Sequence, residues 1–445
     1  TCKFPNFFTS CKGLNFDHLA KSLLCFALSN DQFTQLTALT WINELRKFGK
    51  HQLASHYSDI LAVVLHCFSN APKNICEIAH EINEGIREEY PVLAERSNIN
   101  TILSALTRGL RLGKDIQIET WRWIIELLSW HRAEVISYFG ENFDSLMKAL
   151  SDSSDKVVPF VLKAYARIVG DAELFHRLFS LLFQKLHSDS LLDRRGFLIV
   201  SHLCALLNAE QVYRKFSSLI EGEDNLEFAS EFVQKLNSIL ITSSNLASMR
   251  ALLKQTLVSA AGKDLFLSLY SSWCHSTRAT ISLCLLSQVY RHANCVILSM
   301  VEEDRMMKPL IGATIVVFWL ELPSFAHIKQ QLLEDGKNVW LKKLLYHLIM
   351  LLPRNSEAFK LLLGRLGSLP KHNSVGTQFE CASCGHQHLE ILQLADPDDE
   401  NQDTGNTKDA IDFASLLKKF MHIQRKFFNH LKTKMPLQHL KSASS

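Results

Sequence analysis

Cys381, Cys384, His386 and His388, in the stretch CASCGHQH, are the strongest metal-ligand candidates in this 445-residue chain. A C-x-x-C pair supplies two thiolates, and the histidines could complete a tetrahedron around zinc. Four ligands so close together would make a very small knuckle without the usual second half. A lone C-x-x-C with no distant pair is a weak sign, so a loop with incidental Cys and His is the favoured reading, and neither a resident metal nor a cofactor is expected. Cys274-His275 offers a thiol beside a base, but adjacent helical residues point about 100° apart and would not face each other. Cys284, His292 and Cys295 fall in a Leu- and Val-rich helical stretch (SLCLLSQVYRHANC) that uses Cys as a small apolar filler. His80-Glu81 lacks the second His of a zinc helix, and neither a G-x-S-x-G elbow nor a phosphate-cradling glycine loop occurs. No catalytic residue is assigned, the chain is expected not to be an enzyme, and spacing alone identifies no protein-contact residue.

The elements that would position such groups are helices. Apolar residues are 47% of the chain and charged ones 21%, enough for large buried cores and too apolar for general disorder. The 17 glycines and 10 prolines are about 6% of the residues, too few for the turns of a β-sandwich or barrel. Between Pro159 and Pro309 there is no proline, so nothing of that kind breaks a helix there. The net charge of +3 is far from that of a dedicated nucleic-acid binder. The eleven cysteines are an odd number without framework spacing, as in reduced cytosolic proteins. The longest apolar run, Ile311 to Leu320, is about half of a membrane span, and the Thr1-Cys2-Lys3 start carries no signal peptide; the missing initiator Met points to a fragment or a processed end.

An internal repeat organises the first part. Slid by 82 positions, Gln35–Ala71 lies without gaps on Gln117–Ser153: Trp41 meets Trp123, Ile42 meets Ile124, Leu45 meets Leu127 and Tyr57 meets Phe139. Leu61, Val64, Leu65 and Phe68 likewise meet Phe143, Leu146, Met147 and Leu150, a helical stripe occurring twice. Half of 82 is 41, within the range of HEAT and armadillo units, which bury their apolar faces only by stacking. At that half-offset Ile102 and Leu106 fall on Leu61 and Leu65, and a fourth unit begins near Asp155 with Pro159 in its first turn. Trp121, Trp123 and Trp130 are expected to fill the stack rather than bind a ligand.

The predicted fold is therefore all-α, a HEAT/armadillo-like solenoid of stacked helix pairs. Residues 1–30 are a partial helical segment, 31–190 HEAT-like repeats and 191–369 a further helical region. Helices are predicted at Asp193–Leu207, Leu226–Ile241, Leu246–Val258, Asp264–Trp273, Ala279–Ile297, Trp340–Leu352 and Ser356–Leu366. Residues 370–412 are polar, with Asp396, Asp398, Asp399, Glu400 and Asp403 close together, and are expected to form a disordered acidic linker. In the tail, 413–445, Phe413, Leu416, Leu417, Phe420, Ile423, Phe427 and Leu431 mark an amphipathic helix wanting a partner in cis or in trans. Its other face carries Lys418, Lys419, Arg425 and Lys426, suited to the acidic linker or an anionic membrane.

Longer strings carry a family resemblance. Arg194–Arg214 (RRGFLIVSHLCALLNAEQVYR), Asn225–Lys254, Asp264–Ala293 and Leu344–Leu366 closely resemble the C-terminal region of the ArPIKfyve family, and QLTALTWINEL at Gln35–Leu45 looks like that family's middle HEAT repeats. The resemblance covers roughly Asn30 to Leu369. One segment, Glu302–Ser324 (EEDRMMKPLIGATIVVFWLELPS), departs from the family's charged amphipathic helix and is either a divergent buried helix or an altered gene reading.

The resemblance implies a non-catalytic scaffold of the complex that makes and turns over phosphatidylinositol 3,5-bisphosphate. Family members hold a PIKfyve-type (Fab in yeast) lipid kinase and a Sac-domain phosphoinositide phosphatase together on the cytoplasmic face of endosomes and vacuoles, and they self-associate. The phosphatase-binding part maps here onto about Phe175–Leu369, whereas the early repeats associated with kinase contact are largely missing. The alternative is another HEAT-repeat adaptor in trafficking or nuclear transport, since a solenoid alone does not fix its cargo. No nucleic acid is expected as a partner. Membrane association is expected to be peripheral and mostly through partners, because the net charge is low and no anchor is visible.

Overall fold

The computed structural model describes residues 15–70, 72–93, 98–140, 143–152, 154–170, 172–188, 190–303, 308–334, 338–368 and 411–434. The described residues are α-helical with short 3-10 turns and contain no strand, the predicted all-α, HEAT-like class. They divide into two compact units, residues 1–185 and 186–445. CASCGHQH and nearly all of the acidic stretch lie outside the described residues.

In the first unit the helices are α1 (Phe16–Ala27), α2 (Gln32–Phe48), α3 (Tyr57–Asn70), α4 (Lys73–Leu93), α5 (Ile99–Gly109), α6 (Lys114–Trp130), α7 (Arg132–Phe139), α8 (Asp144–Asp152), α9 (Val158–Ile168) and α10 (Ala172–Ser188), the last reaching the boundary. Helices α2, α4 and α6 begin at residues 32, 73 and 114, a constant step of 41. The half-period read from Ile102 and Leu106 is thus a physical unit of one long helix followed by its partner. Asp31 and Asn98 cap α2 and α5 by accepting backbone N–H bonds, which fixes where those helices start. Pro159 stands in the first turn of α9, as its missing N–H allows.

Burial follows the repeated stripe. Leu61, Val64 and Leu65 of α3 are buried, as are Phe143, Leu146, Met147 and Leu150 at the matching positions, and Ile102 and Leu106 of α5. Helix α2 packs on α4, and α6 on α9, while α3 and α5 pack on each other. The repeats also share a polar device. Arg46 of α2 reaches Asn43 three residues back and pairs with Glu89 of α4 at 2.7 Å, and Glu89 accepts the Tyr57 hydroxyl at 3.0 Å. One period later, Arg87 of α4 pairs with Glu84 three residues back and lies 3.7 Å from Glu119 of α6. A Cβ at Gly85 would collide with the Arg46 guanidinium, so glycine there lets the first of these bridges pass. Trp121 and Trp123 are fully buried, as expected of core aromatics, but Trp130 is 37% exposed: it closes the last turn of α6 against Tyr90, with ring centroids 5.6 Å apart.

The second unit holds α11 (Leu191–Leu206), α12 (Ala209–Glu221), α13 (Leu226–Thr242), α14 (Ala247–Leu253), α15 (Ala260–Trp273), α16 (Thr277–Leu286), α17 (Tyr290–Glu303), α18 (Lys308–Trp319), α19 (Ala326–Leu332), α20 (Val339–Leu351), α21 (Glu357–Gly367) and α22 (Phe413–Lys434). They form two layers. Helices α11, α13, α16 and α18 follow one another in one, and in the other α12 packs on α15 and α17 on α20. Buried hydrogen bonds hold this arrangement: Tyr213 of α12 donates to the Leu236 carbonyl of α13 at 2.9 Å, from one layer to the other, and Ser217 and Ser272 share a bond of 2.8 Å between α12 and α15 within one layer.

Three expectations need correction. The helix predicted over Ala279–Ile297 is two, α16 and α17, because Gln288 takes a left-handed φ of 60° between them. Leu246–Val258 is helical only from Ala247 to Leu253 before giving way to turns. The sequence reading also passed over α12, although Asn208 caps it and Val212, Tyr213, Phe216 and Ile220 form its buried stripe. The divergent stretch Glu302–Ser324 contains α18, whose Ala313, Val316 and Val317 are buried against the unit.

Candidate protein-interaction region

The residues that could do chemistry in the second unit gather inside it. Tyr270 of α15 and His292 of α17 share a buried hydrogen bond of 2.7 Å. Cys274 caps the C-terminus of α15, Cys284 lies on α16 and Cys295 on α17, so the Cys284, His292 and Cys295 group comes from two helices rather than one. All three thiols are buried. Burial pushes the Cys274 and Cys284 thiols far above their ordinary value and that of Cys204 up to about 12, so all three stay protonated and poor nucleophiles. Burial likewise holds His292 down at about 3 and His275 at about 4, leaving both neutral at physiological pH. Among the described residues no group of three His, Cys, Asp or Glu is placed to hold a metal ion. The arrangement is packing chemistry: protonated thiols as filler and one buried His–Tyr hydrogen bond.

The tail helix covers this core. Leu417, Phe420 and Met421 of α22 are buried against α15 and α17, and Phe413 sets its ring 5.1 Å from that of His292. The amide of Gln424 closes on the corner between α15 and α16: its Nε2 donates to the Cys274 carbonyl at 2.6 Å, and its Oε1 accepts the Thr277 hydroxyl at 3.1 Å. Lys419 reaches Glu221 at 2.5 Å and Ser271 at 2.7 Å. The partner that the tail stripe asks for is therefore in cis for Leu417, Phe420 and Met421. Leu416, Ile423, Phe427 and Leu431 are only half-buried.

Helix α20 is the other informative element. Leu341, Leu344, Leu345 and Leu348 face the core, and the helix is pinned to α17 by Asn294, whose Nδ2 donates to the Trp340 carbonyl at 2.9 Å while its Oδ1 lies 2.8 Å from His347 Nδ1. On the outward side Val339, Tyr346 and Met350 are exposed, Met350 at 68%. Spacing alone assigned no contact residue, yet α20 (VWLKKLLYHLIML) is apolar nearly all round, the pattern of a helix covered on both sides. No described helix is long and apolar enough to cross a membrane.

The family described as Vacuolar protein 14 C-terminal Fig4p binding matches residues 189–369, which run from the boundary of the second unit through α21. Among full-length relatives, Protein VAC14 homolog of Arabidopsis thaliana is 44% identical over 415 residues, 92% of this chain and 56% of the relative. The chain is similar to the Vac14 family over most of its length. It is the family that the strings from Arg194 onward resemble, and its likeness extends to the fungi. The Vac14 homolog of Schizosaccharomyces pombe is 36% identical over 258 residues, 57% of this chain and 31% of the relative. Vacuole morphology and inheritance protein 14 of Saccharomyces cerevisiae is 27% identical over 367 residues, 80% of this chain and 41% of the relative. The chain thus spans about half or less of the length of these Vac14 relatives.

Proposed function

We propose that this chain is part of a non-catalytic scaffold of the phosphatidylinositol 3,5-bisphosphate complex, and that its second unit is the docking piece for a Sac-domain phosphatase. The observation that carries the reading is the Fig4p-binding family match over residues 189–369. The protonated, buried thiols and the neutral His292 are consistent with a unit built for packing and contact. The exposed side of α20, with Val339, Tyr346 and Met350, supplies an apolar centre of the kind protein interfaces use. In this reading the scaffold brings the phosphatase and a PIKfyve-type kinase together on the cytoplasmic face of vacuolar or endosomal membranes, associates peripherally and pairs with further copies of itself. The name of the Saccharomyces cerevisiae relative, a vacuole morphology protein, supports the vacuolar setting.

Co-expression of the whole chain with a tagged Sac-domain phosphatase tests the reading. The expected result is co-purification at a fixed ratio through a salt wash. A folded chain that leaves the phosphatase behind, and instead captures a transport GTPase, would assign it to another class of helical adaptor.

A further inference from the structure

Helix α22 carries Lys418, Lys419, Arg425, Lys426, Lys432 and Lys434 and no acidic residue. It contributes +6 to a chain whose total is +3, leaving −3 for everything else, so the near-neutral whole-chain charge hides a strongly cationic element. The structure sorts these charges. Lys419 turns inward to Glu221 and Ser271, and His430 lies 3.8 Å from Glu227, so the acids beside the helix meet its inner edge. Lys418, Arg425, Lys426 and Lys432 are exposed together with His422 and Asn429. At about 100° per residue the four exposed cations fall within an arc of roughly 120°, and at 1.5 Å per residue Lys418 to Lys432 spans about 21 Å. At the C-terminal end of this strip, half-buried Phe428 forms an apolar shoulder, with Lys432 Nζ 4.1 Å from its ring centroid.

We propose that the outward face of α22 is a docking surface for an anionic lipid membrane, independent of any phosphatase or kinase contact. The geometry favours a surface over a pocket ligand, because the cations form a line along a docked helix and do not converge on one point. Three of the four are lysines, compact charges on flexible stems, which suit mobile lipid phosphates better than the fixed bidentate pairing of an acidic protein partner. The apolar stripe of the helix is already spent on Leu417, Phe420 and Met421 within the unit. Attachment is therefore electrostatic adsorption of a preformed face, with Phe428 at its edge near one end, rather than insertion of a free amphipathic helix. The low net charge led to an expectation of membrane contact mostly through partners; the local charge of α22 supplies a direct contact as well.

Sedimentation of the purified whole chain with vesicles tests this without any partner protein. The chain is expected to sediment with phosphatidylcholine vesicles containing phosphatidylserine, to release as salt rises, and to ignore phosphatidylcholine alone. Each cation near an anionic leaflet strengthens attachment roughly fivefold, so the combined variant Lys418→Gln, Lys426→Gln and Lys432→Gln is expected to weaken it about 100-fold. All three side chains are exposed, and an unchanged circular dichroism spectrum will certify the fold. Equal attachment of parent and variant, or equal attachment to neutral vesicles, overturns the proposal. Capture of polyglutamate with no attachment to anionic vesicles overturns it in favour of an acidic protein.

Discussion

Asn83 shows how single residues hold the repeats. It is fully buried on α4, accepts the Trp123 indole N–H at 2.8 Å and donates to Glu119 at 3.2 Å, both on α6. Asn83→Ala removes both partners at once and is expected to destabilise the first unit by about 1–3 kcal/mol, read as a lower denaturant midpoint at unchanged slope. An unaltered midpoint would mean that the indole and the carboxylate find other partners. In the second unit, His292 gives a pH signature. Its folded value of about 3 lies below the ordinary 6.5, so between these limits the unfolded chain binds the extra proton. Stability is complete above pH 6.5 and is lost as pH falls towards 3, by about 1.4 kcal/mol per pH unit for this one group. His292→Gln should flatten the dependence of unfolding free energy on pH by that amount between pH 6 and 4, relative to the parent. Identical slopes would show that His292 is not buried neutral. Packing was already the reading of Cys284, His292 and Cys295 from their Leu- and Val-rich surroundings; what residue type did not tell is that they lie buried on two helices and that His292 bonds Tyr270.

At the scale of elements, much of the first unit could be read directly. The self-match at 82 and its half at 41 are the spacing at which α2, α4 and α6 begin, because each unit must present the same stripe to its neighbour to bury it. Where no such constraint repeats, legibility fell. The break between α16 and α17 depends on one left-handed residue, Gln288, with neither Gly nor Pro to announce it. The heptad-like stripe of α22 called for a partner but did not name it; the Gln424 bonds to Cys274 and Thr277 do. Phe420 anchors that contact at 1% exposure, and Phe420→Ala is expected to cost on the order of 3–5 kcal/mol of docking. Hydrogen exchange should then quicken throughout 413–434 while α11 to α13 keep their protection. Slow exchange retained in α22 would place its anchor elsewhere.

At the scale of the whole molecule, the fold class was set by composition, since few glycines and prolines and a long proline-free stretch leave helices as the economical answer. The family likeness came from long matched strings, and the proposed function rests on it rather than on any reactive site. The contact surface was less legible, because a helix apolar nearly all round, such as α20, looks the same in sequence whether neighbours or a partner cover it. Met350→Asp, at a position 68% exposed, is expected to leave the denaturant midpoint within about 0.5 kcal/mol and to weaken phosphatase capture at least tenfold, about 1.4 kcal/mol. Retained capture would move the interface off α20. The central claim, that the second unit exists to hold a Sac-domain phosphatase, is tested most directly by light-scattering mass of the purified chain with and without that enzyme. The account predicts one species whose mass rises by a whole number of phosphatase molecules. Two species eluting at their separate masses would contradict it.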